Sequence, residues 1–180
     1  MALADAIEWK FQSDDRPSRE VGIPPMTRIL KPPAPLELHD SERSLFLAGS
    51  IDMGRAEPWQ TEVERALVDE EIVILNPRRD QWDASWEQSI RNPTFRDQVE
   101  WELSGQELAT VIAMYFAPAT KAPITLLELG LFARSGKLVV CCPVGFWRRG
   151  NVEVVCARYG IPLVESLTAL IDLVRLRLKT

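Results

Sequence analysis

Short apolar runs of strand length alternate with segments of helical spacing along most of this chain, and that alternation restricts its fold more than any other feature. The runs are SLFLAGS at 44–50, EIVIL at 71–75, ATVIAMYF at 109–116, KLVVCCP at 137–143 and IPLV at 161–164. Between them lie PWQTEVERALVDE, TFRDQVEWELSGQEL, ITLLELGLFARSG and NVEVVCARYG, and SLTALIDLVRLRL closes the chain. In the first of these segments Trp59, Val63, Ala66 and Leu67 share one helical face. Gly136 is the expected stop for the helix that carries Glu128. Strand and helix alternating in units of about 30 residues imply a parallel sheet covered on both faces. The expected fold is therefore α/β and doubly wound, with five parallel strands and helices on both faces. Ligands of such folds bind beyond the C-terminal ends of the strands, near the reversal in strand order.

The first 43 residues read differently. Six of the thirteen prolines fall there: Pro17, Pro24, Pro25, Pro32, Pro33 and Pro35. Proline removes a backbone donor and fixes φ, which disfavours helix and central strand. Residues 1–43 are expected to form an extended arm, with room for a short strand near 27–30, and residues 44–180 the domain. A chain of 180 residues suits one domain with a real core.

Composition narrows the partners. The net charge is −5, against the basic excess of a nucleic-acid surface. No apolar run is long enough to span a bilayer, so no membrane is expected. The N-terminus, MALADAIEWKFQSDD, has acids early and does not read as a secretory signal. Cys141, Cys142 and Cys156 are odd in number and include an adjacent pair in an apolar run, which suits reduced, buried thiols in a cytoplasmic protein. His39, the one histidine, is far from them in sequence, so zinc spacing is missing and no metal is expected.

Four segments can carry chemistry. In AGSI, Gly49 permits close backbone approach and Ser50 offers a hydroxyl, with Ile51 following; a plain turn is the alternative. In NPRRDQWDASWEQS, Asn76, Arg78, Arg79, Asp80, Trp82, Asp83 and Trp86 stand after the second apolar run. Aromatic planes there would stack on a flat ligand, Asp or Asn would read its donors, and the arginines would meet a phosphate. A surface loop packing its tryptophans on the core explains the same residues. Glu102 lies close to the helix side that carries Val99, Leu103 and Gln106; a solvated glutamate beside Glu100 is the alternative.

The fourth segment is ITLLELGLFARSGK, where Glu128 interrupts an apolar run. It is either half exposed at the edge of an amphipathic face or held in a pocket. With helix onset near 123–125, Glu128 is expected in or near the first turn. The helix dipole would favour its ionised form there, and apolar surroundings would oppose it. A partly desolvated, ionised carboxylate suits nucleophilic attack on an electrophilic carbon.

Together these residues resemble the nucleoside 2-deoxyribosyltransferase family and its "-like" branch, related to nucleoside 5′-monophosphate N-glycosidases. The resemblance runs from about Ser44 to Leu170. LFLAGSI is similar to the family's first-strand motif, and LLELGLFARSGK to its nucleophile motif, with Glu128 on the nucleophile. Glu102 falls where the family usually has an aspartate that binds and protonates the base. Asn151, in RRGNVE, falls near an asparagine that reaches into the neighbouring subunit's site. The chain departs from the family at Lys121 and Ala122, where a second aspartate is usual, and at Pro123 and Ile124, where glycines are common. The NPRRDQWD segment is not in the best-known bacterial members.

The resemblance implies a flavodoxin-like fold and a small-molecule nucleoside or nucleotide substrate, with no metal or organic cofactor. It implies attack by Glu128 on the anomeric carbon, proton donation by Glu102, sugar hydroxyls held by Ser50 and Asn151, and a stacking lid from Trp82 and Trp86. It further implies a homodimer or larger assembly with shared sites. Transfer to a second base, hydrolysis by water, and nucleotide binding without catalysis all remain open at this point.

Overall fold

The computed structural model describes residues 26–50, 58–79, 83 and 85–179. The elements run β1 (Arg28–Leu30), β2 (Ser44–Gly49), α1 (Trp59–Ala66), β3 (Val73–Leu75), α2 (Pro93–Leu108), β4 (Val111–Tyr115), α3 (Pro123–Phe132), β5 (Leu138–Cys141), α4 (Arg149–Tyr159), β6 (Leu163–Val164) and α5 (Leu167–Leu178). All strand pairs are parallel, in the order β1-β3-β2-β4-β5-β6.

Among the described residues the sheet has six strands, one more than expected. The extra strand comes from the proline-rich stretch. Ile29 pairs with Ile74, Arg28 N donates to Ile72 O, and Asn76 N donates to Leu30 O. The strand lies at the sheet edge and ends before Pro32 and Pro33, so neither proline removes a ladder donor. Past the strand the chain stays on the domain: Trp101 Nε1 donates to Ala34 O at 2.8 Å, and Leu36 and Leu38 pack against the core.

The central strands are buried on both faces, which explains their continuous apolar runs. Alternate side chains serve two cores. Leu45 and Leu47 point with Trp59 and Val63 of α1 and Leu170, Ile171 and Val174 of α5 into one core. Phe46 and Ala48 point with Trp101 of α2, Leu129 of α3 and Val152 and Cys156 of α4 into the other. The chain thus leaves β2 toward one face and β4 toward the opposite face, which opens a crevice between the C-terminal ends of those two strands.

All three cysteines are free and buried. Burial pushes the Cys141 thiol up to about 12, and Cys142 and Cys156 up to about 11, so these thiols are unreactive packing groups at neutral pH. Among the described residues no helix is long and apolar enough to cross a membrane.

Candidate active site

The crevice begins at Gly49. Its φ is +152°, and a β-carbon there would stand 2.5 Å from Tyr115 O and 2.9 Å from Trp59 Cζ2. Only glycine lets β2 approach the end of β4 this closely. Ser50 follows, 3% exposed. Its Oγ accepts from Ala117 N at 3.2 Å and shares a hydrogen bond with Thr120 Oγ1 at 2.7 Å. Its N–H donates to Tyr115 O, and its carbonyl accepts from Trp59 Nε1. The Ser50 hydroxyl therefore shapes the loop from β4 to α3.

That loop delivers Glu128. Ala122 caps α3 in the left-handed region, at φ 42°, and Pro123 occupies the first helical position, where its missing N–H costs nothing. Counting from Pro123, Glu128 is the sixth helical residue and sits in the second turn, just past the first. The helix dipole is weak at that depth. Glu128 is 8% exposed, and Gln106 Nε2 donates to its Oε1 at 2.7 Å. Burial first, and the nearby Glu102 charge second, push the Glu128 carboxyl up to about 8 against the opposing Gln106 hydrogen bond. Of the two opposing effects expected from the sequence, the dipole and the apolar surroundings, the apolar surroundings dominate.

Glu102 stands on α2, which Asn92 caps by accepting from Thr94 N and Phe95 N. Gln98 Nε2 donates to Glu102 Oε1 at 2.8 Å and to Pro77 O at 3.0 Å. Burial raises the Glu102 carboxyl above its ordinary range, and the Gln98 hydrogen bond opposes this. The two acids sit close enough for the charge on Glu102 to act on Glu128. Gln106 Nε2 also donates to the backbone carbonyl of Glu102 at 3.3 Å, which ties the Glu128 carboxyl to the α2 backbone.

The remaining predicted residues spread along the same edge. Asn76 is buried at the end of β3, donating to Glu64 Oε1 at 2.6 Å and accepting from Arg78 N at 2.9 Å. Arg79 lies over the Trp86 ring at 5.2 Å. Asp83 is exposed and closes a local turn on Ser85 N, whose hydrogen bonds hold its carboxyl below the usual range. Ile51, Asp80 and Trp82 lie outside the described residues. Asn151, exposed on α4, lines an open groove of about 360 Å³ with Leu126, Leu129, Gly130, Arg148 and Val155. Glu128 does not line that groove. The fold therefore brings Glu102 and Glu128 together and puts Asn151 on the α4 side of α3.

Sequence reasoning passed over Gln98 and Thr120 and gave Gln106 no role. The signal for the glutamines was the spacing Gln98, Glu102, Gln106, which places three polar side chains on one helix face at successive turns.

A family model described as "Nucleoside 2-deoxyribosyltransferase like" matches residues 42–146. No curated protein matches the chain. A solved structure, that of a conserved protein from Enterococcus faecalis V583, is similar with a TM-score of 0.52 at 12% identity, covering 76% of this chain and 99% of that one. At that identity the likeness concerns the fold.

Proposed function

Because the chain belongs to the nucleoside 2-deoxyribosyltransferase-like family, we propose that it cleaves the N-glycosidic bond of a nucleoside or deoxynucleoside and passes the sugar to a second base, with Glu128 as nucleophile. The observation that carries this reading is the pair of half-buried Glu102 and buried Glu128 at the crevice.

Glu128 Oε1 is held by Gln106, while Oε2 makes no hydrogen bond among the described residues. That oxygen attacks the anomeric carbon as the C–N bond breaks, through an oxocarbenium-like transition state. The departing base takes a proton from Glu102. The glycosyl–Glu128 ester is then opened by a second base or by water. Burial raises both acids, and the charge of Glu102 further discourages ionisation of Glu128, which keeps its proton up to about 8. The first step needs that proton on Glu102, so in this reading it passes from Glu128 to Glu102 before the attack.

Hydrolysis is the second reading, on a nucleoside 5′-monophosphate. It is favoured by Arg78 and Arg79, which stand in the loop after β3 and suit a phosphate.

Self-association belongs to the same proposal. Ile124, Leu127 and Leu131 of α3 are each more than half exposed, as are Trp147 and Val154 nearby in the fold. Covering this apolar face with a second copy would bring Asn151 of each protomer into the shared interface. A monomer that retains full activity in light scattering would sink this part.

The reaction is tested by chromatography of a purine deoxynucleoside with and without a second free base, beside Glu128→Ala. New nucleoside that depends on Glu128 supports transfer. Free base without exchange supports hydrolysis, to be repeated with monophosphates. No turnover of either form overturns the catalytic reading.

A further inference from the structure

Helix α2 places Gln98 and Gln106 one turn before and one turn after Glu102. Each uses its amide nitrogen twice. Gln98 Nε2 donates to Glu102 Oε1 and to the backbone carbonyl of Pro77; Gln106 Nε2 donates to Glu128 Oε1 and to the backbone carbonyl of Glu102. A backbone carbonyl only accepts, so each amide is locked with its nitrogen toward the carboxylates. The cost is visible at the other end, where Oε1 of both glutamines is buried with no partner among the described residues. An unpaired buried acceptor is unfavourable. A side chain present only to fill space would not need that arrangement, and Met or Leu would fill it without the orphan oxygen. The arrangement makes sense if the donors are needed.

We infer that Gln98 and Gln106 are positioning residues for the acid pair: Gln106 orients Glu128 and Gln98 orients Glu102, and the two donors divide the negative charge between the two carboxyls. This rests on the reading of Glu102 and Glu128 as the reacting pair. The other surroundings leave the division to the glutamines. Beneath α3, β2 and β4 present Phe46, Ala48, Met114 and Phe116, and α4 presents Val152, all apolar. On the loop after β3, Arg78 and Arg79 follow Pro77, and no ion pair to either glutamate occurs among the described residues. The charge facing Glu128 is Glu102.

The two glutamines then have opposite effects on Glu128. Loss of the Gln106 donor removes a hydrogen bond from the Glu128 anion and raises its midpoint. Loss of the Gln98 donor leaves Glu102 protonated to higher pH, which relieves repulsion and lowers the midpoint of Glu128.

The experiment is carboxyl carbon NMR titration of the full chain labelled at glutamate, with Glu102→Gln and Glu128→Gln to assign the two signals. The variants are Gln106→Met and Gln98→Met, which keep the side-chain length. Gln106→Met is expected to raise the Glu128 midpoint by about one pH unit, and Gln98→Met to raise that of Glu102 and lower that of Glu128. Midpoints that stay put, or that move the same way in both variants, would overturn the inference. If Gln106→Met fails to fold, Gln106→Asn withdraws the donor by one methylene and is expected to give the same upward shift. Turnover is read separately from the titration. Shifted midpoints without turnover keep the positioning role and remove the reaction; turnover with unshifted midpoints does the reverse.

Discussion

Gly49 and Tyr115 meet so closely that a β-carbon on Gly49 would lie 2.5 Å from the Tyr115 carbonyl oxygen. This contact sets the width of the crevice, because β2 and β4 pair there in register. Gly49→Ala adds both a clash and a strained φ. It is expected to cost about 3 kcal/mol or more. Urea unfolding measures this; a loss below about 1 kcal/mol would show that the strand ends can spread.

Gly105 plays the same part for α2. A β-carbon there would stand 2.8 Å from Phe46 Cε2, and Phe46 is fully buried. Elsewhere in a helix, Gly→Ala gains about 0.5–1 kcal/mol. Here overpacking outweighs that gain, and Gly105→Ala is expected to destabilise by about 1–3 kcal/mol. It also pushes α2 off the sheet, and with it Glu102 and Gln106. Turnover per folded molecule should therefore fall along with stability.

Ser50 donates and accepts within the fold, so its loss is first a structural event. Ser50→Ala leaves the Ala117 N–H without its partner and frees Thr120 from one contact. The expected cost is about 1–3 kcal/mol. Faster amide exchange at 117–120 in the variant would accompany it. Unchanged exchange there would show that the hydroxyl does not hold the loop.

Glu128 makes stability depend on pH. Its carboxyl moves from an ordinary 4.5 to about 8 on folding. Below the lower value it is neutral in both states and carries no penalty. As pH rises toward the higher value, the unfolded chain ionises first, so stability is lost, and the loss is complete above about 8. The full swing is on the order of 5 kcal/mol. Glu128→Gln should abolish turnover yet gain stability over the parent as pH rises. Thermal unfolding across this range checks the sign; equal curves for the two proteins would contradict it.

Catalysis should follow the shared proton. The rate is expected to fall above about 8, where the pair gives up its last proton. Glu102→Gln cannot donate as an acid and should lose that basic limb. A basic limb that survives in this variant would assign the proton to another group.

Much of this molecule was legible in its sequence. The five apolar runs became strands because a parallel strand is buried on both faces and must be apolar throughout. Glu128 stood out because a carboxylate in such a run needs a reason. The edge strand at Arg28–Leu30 was legible only as a possibility, since three residues between prolines carry no usable period. Its place beside β3 depends on a pairing distant in the chain. The fate of each polar side chain was equally hidden. Ser50 faces the β4–α3 loop, Asn76 faces Glu64, and Gln106 faces Glu128, and none of these contacts is local in sequence.

The sequence by itself determined the alternation of strand and helix and the positions of two carboxylates, because periodicity and polarity are local properties. The tertiary structure decided that those carboxylates meet, that burial rather than the helix dipole governs Glu128, and that two glutamines hold the pair. Desolvation and hydrogen bonding depend on what the rest of the chain packs around a group.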